Sequence, residues 1–300
     1  MPTGAGYAER MTGSRVLRLL MFSALLASAQ PRQKAGVAFT ITPTLVEAGS
    51  PEMIAVSAPT ATSMEGEWLG HKLEFFHHGR EWVALAGVDV ETNPQMSTLH
   101  ITAQSGTGPI EFSRTIEIHA AHYRTGKLTV APKFVEPGPE EQKEIAVDRE
   151  VKDRIFATSA PEPLWQSSFR APVKAPPTDS FGTRRMFNGK LASIHKGMDF
   201  RAPAGTVVRA SNSGVVVLAR HLYYEGNCVI IDHGLGLYTL SMHFSRIDVR
   251  EGQHVETGDK LGLSGATGRV TGPHLHWAVR WQNAYLDPAK LLRLNLNTIR

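Results

Sequence analysis

Gly272-Pro273-His274-Leu275-His276-Trp277 constrains both the fold and the chemistry of this chain more than any other stretch. Its alternation of polar and apolar residues is typical of a β-strand, in which residues two apart point to the same face. His274 and His276 would therefore face one cleft, while Leu275 packs into the core behind them. One imidazole of this pair can bind a metal ion while the other reaches the reacting atoms.

Three further polar residues lie upstream of this stretch. His195 and Asp199 are four residues apart in His-Lys-Gly-Met-Asp, and His243 lies between the two stretches. Two neutral imidazoles and one carboxylate give zinc three ligands and leave a fourth tetrahedral position open, which is typical of a catalytic metal rather than a structural one. Any one of these pairs taken alone is more often an ordinary surface or core feature. Their combination predicts a zinc site with two histidines left for proton transfer.

The segment from Phe181 to about Leu292 resembles the catalytic domain of the lysostaphin/LytM-like zinc metalloendopeptidases, which cut peptide bonds in bacterial peptidoglycan. The matching phrases occur in the family's order and are Phe181-Gly182-Thr183-Arg184, His195-Lys196-Gly197-Met198-Asp199-Phe200, Ile231-Asp232-His233-Gly234, Tyr238 to His243, and Gly272 to Trp277. They cover a little over a third of the chain. Ser241 departs from the pattern, because relatives often carry an aromatic residue there, so substrate packing at this position is expected to differ.

The resemblance implies one Zn²⁺ per catalytic domain, with His195, Asp199 and His276 as its ligands. His243 and His274 would then be the catalytic pair that does not bind the metal. The sequence leaves open which of these two is the general base, although the strand that it shares with a ligand favours His274. The resemblance also implies an open antiparallel β-barrel, the duplicated hybrid motif.

The composition is that of a globular protein with room for two domains, since 42% of the 300 residues are hydrophobic and 20% are charged. A net charge of +4 and a pI near 9.2 favour approach to an anionic polymer such as a bacterial cell wall, although so small an excess is common. No basic stretch with interleaved aromatic residues predicts nucleic-acid binding. The single cysteine, Cys228, lies in an apolar run and is predicted to be a small buried residue.

Residues 1–30 are predicted to be a secretory signal peptide. Arg15 and Arg18 precede the apolar run 19–26, and Ala27-Ser28-Ala29 offers the small residues of a cleavage site. The apolar run is much shorter than the roughly 20 residues that cross a bilayer. We therefore expect an exported protein, periplasmic or associated with the cell wall, with no stable membrane insertion after cleavage.

The rest of the chain is predicted to be mainly β. Short alternating runs between residues 37 and 130 predict an immunoglobulin-like β-sandwich over 31–135. A short amphipathic helix is predicted over 140–156, within a helical and proline-rich linker that spans 136–180. This helix could dock on either domain or cover the active cleft. The LytM-like metallopeptidase domain is expected over 181–300, with glycine-rich loops over 258–268 before its last strand.

Three functions fit these patterns. The first is an exported endopeptidase that hydrolyses peptidoglycan peptides with metal-activated water. The second is a non-catalytic relative that binds the wall or activates another hydrolase, and the presence of all five polar positions argues against it. The third is a binding protein whose function lies in the sandwich, with the barrel as a scaffold. A fragment starting at Phe181 that still hydrolysed its substrate would count against this third function. The peptidoglycan peptide is the only partner that the sequence implies.

Overall fold

The computed structural model describes residues 38–127, 137–187 and 190–296. The predicted signal peptide lies outside the described residues, as does the end of the region of short alternating runs that the sequence places between residues 37 and 130. The described chain is mainly β, which confirms the predicted class, and all but one of its strand pairs are antiparallel. Among the described residues, no helix is both long enough and apolar enough to span a membrane.

Two four-stranded antiparallel sheets form the N-terminal part of the fold. The first has the order β1 (Ala38–Thr42), β2 (Pro51–Ser57), β6 (Glu81–Gly87), β5 (Phe76–His78); the second has the order β4 (His71–Glu74), β3 (Ala61–Trp68), β7 (Gln95–Ser105), β8 (Gly108–Ile118). If the strands are lettered A to G in chain order and β4 is left out as an additional strand beside β3, the two sheets have the ABED and CFG orders of immunoglobulin-like sandwiches. The strands bury alternate residues, as Leu99, Ile101 and Ala103 of β7 show.

Strand β3 is present although its sequence does not predict it. The strand reads Ala-Thr-Ser-Met-Glu-Gly-Glu-Trp, and its two large apolar residues, Met64 and Trp68, are four apart and buried. A run with so few apolar positions lacks the alternation by which strands are identified in a sequence. Pairing with β4 on one side and β7 on the other holds it in the sheet.

Helix α1 (Pro139–Phe156) agrees with the helix predicted over 140–156. Proline at its first position and Glu140 and Glu141 in its first turn are favourable at a helix start, because proline needs no donor there and the carboxylates complement the helix dipole. None of its residues is fully buried. Val151, Ile155 and Phe156 pack against a small apolar cluster on the C-terminal sheet.

A ten-stranded antiparallel sheet forms most of the C-terminal part. Its main path is β10 (Pro177–Asp179), β13 (Met198–Phe200), β20 (Leu275–Trp281), β17 (Leu237–Ile247), β16 (Gly226–Asp232), β15 (Gly214–Leu222), β18 (His254–Val255). Two further strands pair with this path, β19 (Lys260–Ser264) with β17 and β21 (Ala284–Leu286) with β20, and β14 (Val207–Arg209) pairs with β19. Within the described part of the chain, β10 and β18 end the path without pairing with each other.

Two short segments complete the architecture. A three-stranded sheet contains β9 (Thr125–Lys127), β11 (Arg184–Phe187) and β12 (Lys190–Ile194), with β9 parallel to β11. Helix α2 (Pro288–Leu291) follows β21 and is capped by the Asp287 side chain, which accepts a hydrogen bond from the Ala289 backbone N–H.

Strand β19 corrects the sequence prediction, which gave only glycine-rich loops over 258–268. Pairing with β14 and β17 on either side overrides the low strand propensity of glycine at Gly262.

One continuous apolar core joins the two parts. Trp82 of β6, Trp165 and Leu286 of β21 belong to the same buried cluster. Phe169 and Val173, within the predicted linker, are also buried in it. Described residues 158–179 therefore lie against the C-terminal sheet rather than extending as an exposed spacer, whereas the exact domain boundaries stay a prediction.

Candidate metal centre

The three predicted metal ligands come from three neighbouring segments, two of them strands of the C-terminal sheet and the third the loop before β13. His195 follows β12, Asp199 is the middle residue of β13, and His276 lies on β20. Asp199 and His276 are directly opposite each other in the β13–β20 register. Because directly opposite residues of an antiparallel pair share a face, strand pairing alone places this carboxylate beside this imidazole.

The donor atoms of these residues converge on one point. Asp199 Oδ1 lies 2.8 Å from His276 Nδ1 and 3.1 Å from His195 Nε2, and the two nitrogens are 3.0 Å apart. Tetrahedral zinc with bonds of about 2.0–2.1 Å keeps its donor atoms about 3.3 Å apart, so the triangle needs only a small expansion to hold the ion. Among the described residues, this is the one group of three or more His, Cys, Asp or Glu side chains that could hold a metal.

The protonation states of the three residues decide how they can bind a cation. His195 Nδ1–H donates to the backbone carbonyl of Ser180 at 3.0 Å, so Nε2 is the nitrogen that faces the other two residues. Burial opposes protonation of His195, but hydrogen bonds with Asp179 and Asp199 raise its pKa, so a bound metal ion would displace a proton from Nε2. Burial opposes ionisation of Asp199, but hydrogen bonds with His195 and His276 hold the pKa of this carboxyl well below its usual range. Burial lowers the pKa of His276, so that its imidazole is neutral. The site therefore presents one carboxylate and two nitrogen donors, the set that zinc prefers.

Two residues that the sequence did not single out support the ligands. Arg185 Nη2 lies 3.2 Å from Asp199 Oδ2 and 3.2 Å from Asp179 Oδ2. Asp179 Oδ2 in turn lies 3.3 Å from His195 Nδ1. These contacts orient the carboxylate and the imidazole from outside the metal position, the role that outer partners commonly have in metal sites. No spacing pattern in the sequence links Asp179 and Arg185 to the ligands, and only the fold brings them together.

Gly197, between His195 and Asp199, leaves space for the imidazole of the metal ligand His276. A Cβ at this position would lie 2.4 Å from His276 Nε2 and 2.8 Å from the Trp277 carbonyl oxygen. Both distances are too short for any side chain to be accommodated without displacing the imidazole. The glycine of His-Lys-Gly-Met-Asp is therefore required by the approach of β20 rather than by its own backbone conformation.

The two remaining predicted residues lie beside the metal position. The ring centres of His243 and His274 are 4.9 Å apart, and His243 is 6.0 Å from the ring of His276. His274 Nε2 lies 3.7 Å from Asp199 Oδ1. In both residues Nδ1–H donates to a backbone carbonyl at 2.8 Å, that of Thr267 for His243 and that of Gly272 for His274. Each Nε2 is consequently an acceptor in the neutral imidazole.

A β-bulge directs His243 into the site. Met242 of β17 is opposite His276, but the register between β17 and β16 shifts just beyond it, and His243 has a φ of 65°. Left-handed backbone is rare for residues other than glycine and concentrates at functional sites. Burial and the proximity of two other imidazoles, His276 and His274, lower the pKa of His243 to about 3, so it is neutral at physiological pH.

His233, the other histidine in the matching phrases, has a structural role. His233 is completely buried, with Nδ1 2.7 Å from the Ser213 carbonyl oxygen and Nε2 2.8 Å from Thr239 Oγ1. Burial lowers the pKa of His233 to about 4. A neutral imidazole with both nitrogens hydrogen-bonded connects β16 and β17 and is not available to a metal.

Comparison with known proteins identifies the domain that carries this site. Residues 193–288 match the model of peptidase family M23. These residues form a peptidase family M23 domain. The match confirms the family resemblance predicted from the motifs, and it contains all five residues of the predicted site.

Proteins similar to the M23 domain include named peptidoglycan endopeptidases and solved peptidase structures. The peptidoglycan DD-endopeptidase ShyA of Vibrio cholerae is 48% identical over 101 residues, which are 33% of this chain and 24% of ShyA. A crystal structure from Pseudomonas aeruginosa, described as a candidate M23 peptidase, covers 83% of this chain and 96% of its own, with 27% identity and a TM-score of 0.62. The catalytic domain of lysostaphin from Staphylococcus simulans is 31% identical, with 40% of this chain and 93% of that chain covered and a TM-score of 0.37. The chain thus spans about a quarter of the length of this curated relative.

Proposed function

We propose that this protein is an exported zinc-dependent endopeptidase that hydrolyses peptide bonds in peptidoglycan. The observation that carries the proposal is the convergence of His195 Nε2, Asp199 Oδ1 and His276 Nδ1 within 3.1 Å of one another, with two further imidazoles beside them. The M23 match and the activity named for ShyA support the reaction and the substrate class. Export rests on the signal peptide predicted over 1–30.

His195, Asp199 and His276 would hold the zinc ion. Bound zinc lowers the pKa of a coordinated water toward neutrality and polarises a carbonyl oxygen, which is the chemistry required for peptide hydrolysis. Asp199 and Arg185 together balance the charge of the site, since one carboxylate oxygen is directed at the metal position and the other at the guanidinium. Asp179 holds His195 in the tautomer that binds a metal.

We assign the first proton transfer to His274. His274 is half-buried, whereas His243 is buried, and burial penalises the charged imidazolium. His274 Nε2 can therefore accept the water proton at a lower desolvation cost and return it to the leaving amine. The ring of His243 lies 4.9 Å from that of His274, and its Nε2 can accept a hydrogen bond from an N–H group of the substrate and so help to hold the peptide at the site.

Digestion of purified peptidoglycan tests the proposal directly. The chain from residue 31 onward, loaded with zinc, is incubated with sacculi, and the released fragments are analysed by mass spectrometry with and without a chelator. We expect peptide fragments with new amino and carboxyl termini, their formation stopped by the chelator and restored by zinc. Sacculi whose peptide cross-links stay uncut both with and without metal would contradict the proposal and favour a wall-binding role.

A further inference from the structure

One arginine beside the site is not used by any of these assignments. Arg269 lies two residues after Thr267, whose carbonyl accepts the hydrogen bond from His243 Nδ1. The Arg269 backbone N–H donates to the Tyr224 carbonyl oxygen at 2.8 Å, and the guanidinium carbon lies 4.4 Å from the centre of the Tyr224 ring. The chain segment that orients His243 therefore also positions Arg269.

The guanidinium of Arg269 is partly buried, and no acid among the described residues is its counterion. Burial lowers the pKa of Arg269, and the charge of Arg185 lowers it further. Across the described ranges, no carboxylate oxygen comes within the 4.0 Å of an ion pair with Arg269, and the acid that influences its pKa, Glu225, pairs with Lys152. Arginine does not lose its proton at physiological pH, so this charge remains in a partly desolvated position. An anion supplied from outside would relieve that cost.

The geometry specifies the kind of anion. The cation–π contact with the Tyr224 ring holds the guanidinium carbon in place, and a guanidinium donates hydrogen bonds from the N–H groups at its edge. This planar fork matches a carboxylate, which accepts two parallel hydrogen bonds from it. Arg185 is unsuited to the same task, because its Nη2 already contacts both Asp179 and Asp199.

We propose that Arg269, held by Tyr224, is a carboxylate subsite beside the metal position, and that the preferred substrates are peptides with a free carboxylate close to the scissile bond. The inference rests on the proposed function, since it specifies the substrate of the same site. It concerns substrate selection alone and leaves the roles of the metal ligands and of His243 and His274 unchanged.

Soluble peptide fragments prepared from peptidoglycan provide a matched pair of probes. One portion keeps its free carboxyl groups, and the other is converted to carboxamides with carbodiimide and ammonia. Hydrolysis is measured as kcat/KM with zinc-loaded protein. Binding is measured by calorimetry in a His274→Ala background, where slow turnover allows equilibrium. The variants are Arg269→Gln, Arg269→Lys and, as a control, Arg114→Gln, which removes a guanidinium stacked on Phe39 in the sandwich. Circular dichroism verifies that each variant is folded.

For the free peptides, we expect Arg269→Gln to reduce kcat/KM and affinity roughly ten- to hundredfold, the value of one charged hydrogen-bonded pair. Arg269→Lys should reduce kcat/KM and affinity by a smaller factor, and Arg114→Gln should have the wild-type values. The wild type and Arg269→Gln should hydrolyse and bind the amidated peptides equally weakly. Equal use of free and amidated peptides by the wild type would overturn the subsite but not the proposed function. Binding that depends on Arg269 without any hydrolysis would support the subsite and reject the endopeptidase.

Discussion

Two histidines that are neighbours on one strand are expected to have different tasks. His276→Ala removes a donor of the metal triangle, so the protein should lose bound zinc and activity together. His274→Ala leaves the triangle intact, so zinc should remain stoichiometric while kcat falls on the order of a hundredfold or more. Metal analysis and peptidoglycan digestion on the same preparations separate the two effects. Zinc loss in His274→Ala, or full activity in either variant, would refute the assignment.

Gly197 gives a second prediction at the scale of one residue. In Gly197→Ala the new methyl group would meet His276 Nε2 at 2.4 Å, so the imidazole must rotate away from the other two donors. We expect zinc affinity to fall roughly ten- to hundredfold, as for other disturbances of ligand orientation. Competition with a chromogenic chelator measures the affinity. Gly106→Ala is the control, because a Cβ at Gly106 meets no atom within 4 Å. Equal affinities in the two variants would contradict the steric role.

The sequence allowed the five site residues to be named because few residue types bind zinc, and their spacing and motifs are distinctive. It did not identify Asp179, Arg185 or Arg269. Carboxylates and guanidinium groups occur throughout any soluble protein, so their importance depends on contacts between distant segments. The left-handed backbone of His243 was equally hidden, since a period of two places its side chain by simple alternation.

Among the elements, strands with dense apolar alternation and the helix with clear start signals were predictable. The sparse strand β3 and the glycine-containing strand β19 were not, because neighbouring strands rather than local sequence determine them. Strand β10 shows a further limit. It consists of three residues, yet it places Asp179 beside His195, so a catalytic fragment that begins at Phe181 lacks part of the support of the site.

Helix α1 is joined to the active-site region by an ion pair. Lys152 contacts Glu225, both side chains are largely buried, and the Glu225 carbonyl accepts the backbone N–H of His243. Lys152→Met should destabilise the protein by about 1–3 kcal/mol, because it leaves a poorly solvated carboxylate unpaired. Chemical denaturation measures the change. Lys143→Met, which breaks the exposed pair with Glu140 on the same helix, should cost under about 1 kcal/mol. Equal losses in the two variants would indicate that α1 is only loosely docked.

At the scale of the molecule, the sandwich and the M23 domain are held together by more than the shared core. Lys290 Nζ contacts Glu47 Oε1 at 2.7 Å, and the Asp287 N–H donates to the Gly49 carbonyl oxygen at 2.7 Å. A Cβ at Gly87 would lie 2.6 Å from Leu286, so β6 and β21 approach closely. We therefore expect the two parts to unfold in one cooperative transition.

Glu52, next to this junction, makes that transition depend on pH. Its carboxyl is completely buried, and burial raises its pKa from 4.5 to about 8. The folded state thus keeps a proton that the unfolded state releases, and stability falls by up to about 1.4 kcal/mol per unit as the pH rises from about 4.5 to 8. The Glu52→Gln variant has no carboxyl to ionise at this position, so the Tm of the variant minus the Tm of the wild type should increase from pH 5 to pH 8. Glu111→Gln, at an exposed position, is the control. A difference in Tm that stays constant with pH would show that Glu52 is ionised in the fold.

Cys228 is fully buried in the cluster that Val151, Ile155 and Phe156 of α1 cover, and it is the chain's only thiol. This buried thiol can therefore report how often helix α1 separates from the sheet. A thiol-alkylating reagent can reach the sulfur only after α1 lifts or the sheet opens, so the labelling rate reports how often that happens. We expect Lys152→Met to accelerate alkylation at a pH and temperature where Lys143→Met does not, and mass spectrometry of timed samples would record the difference without an introduced probe.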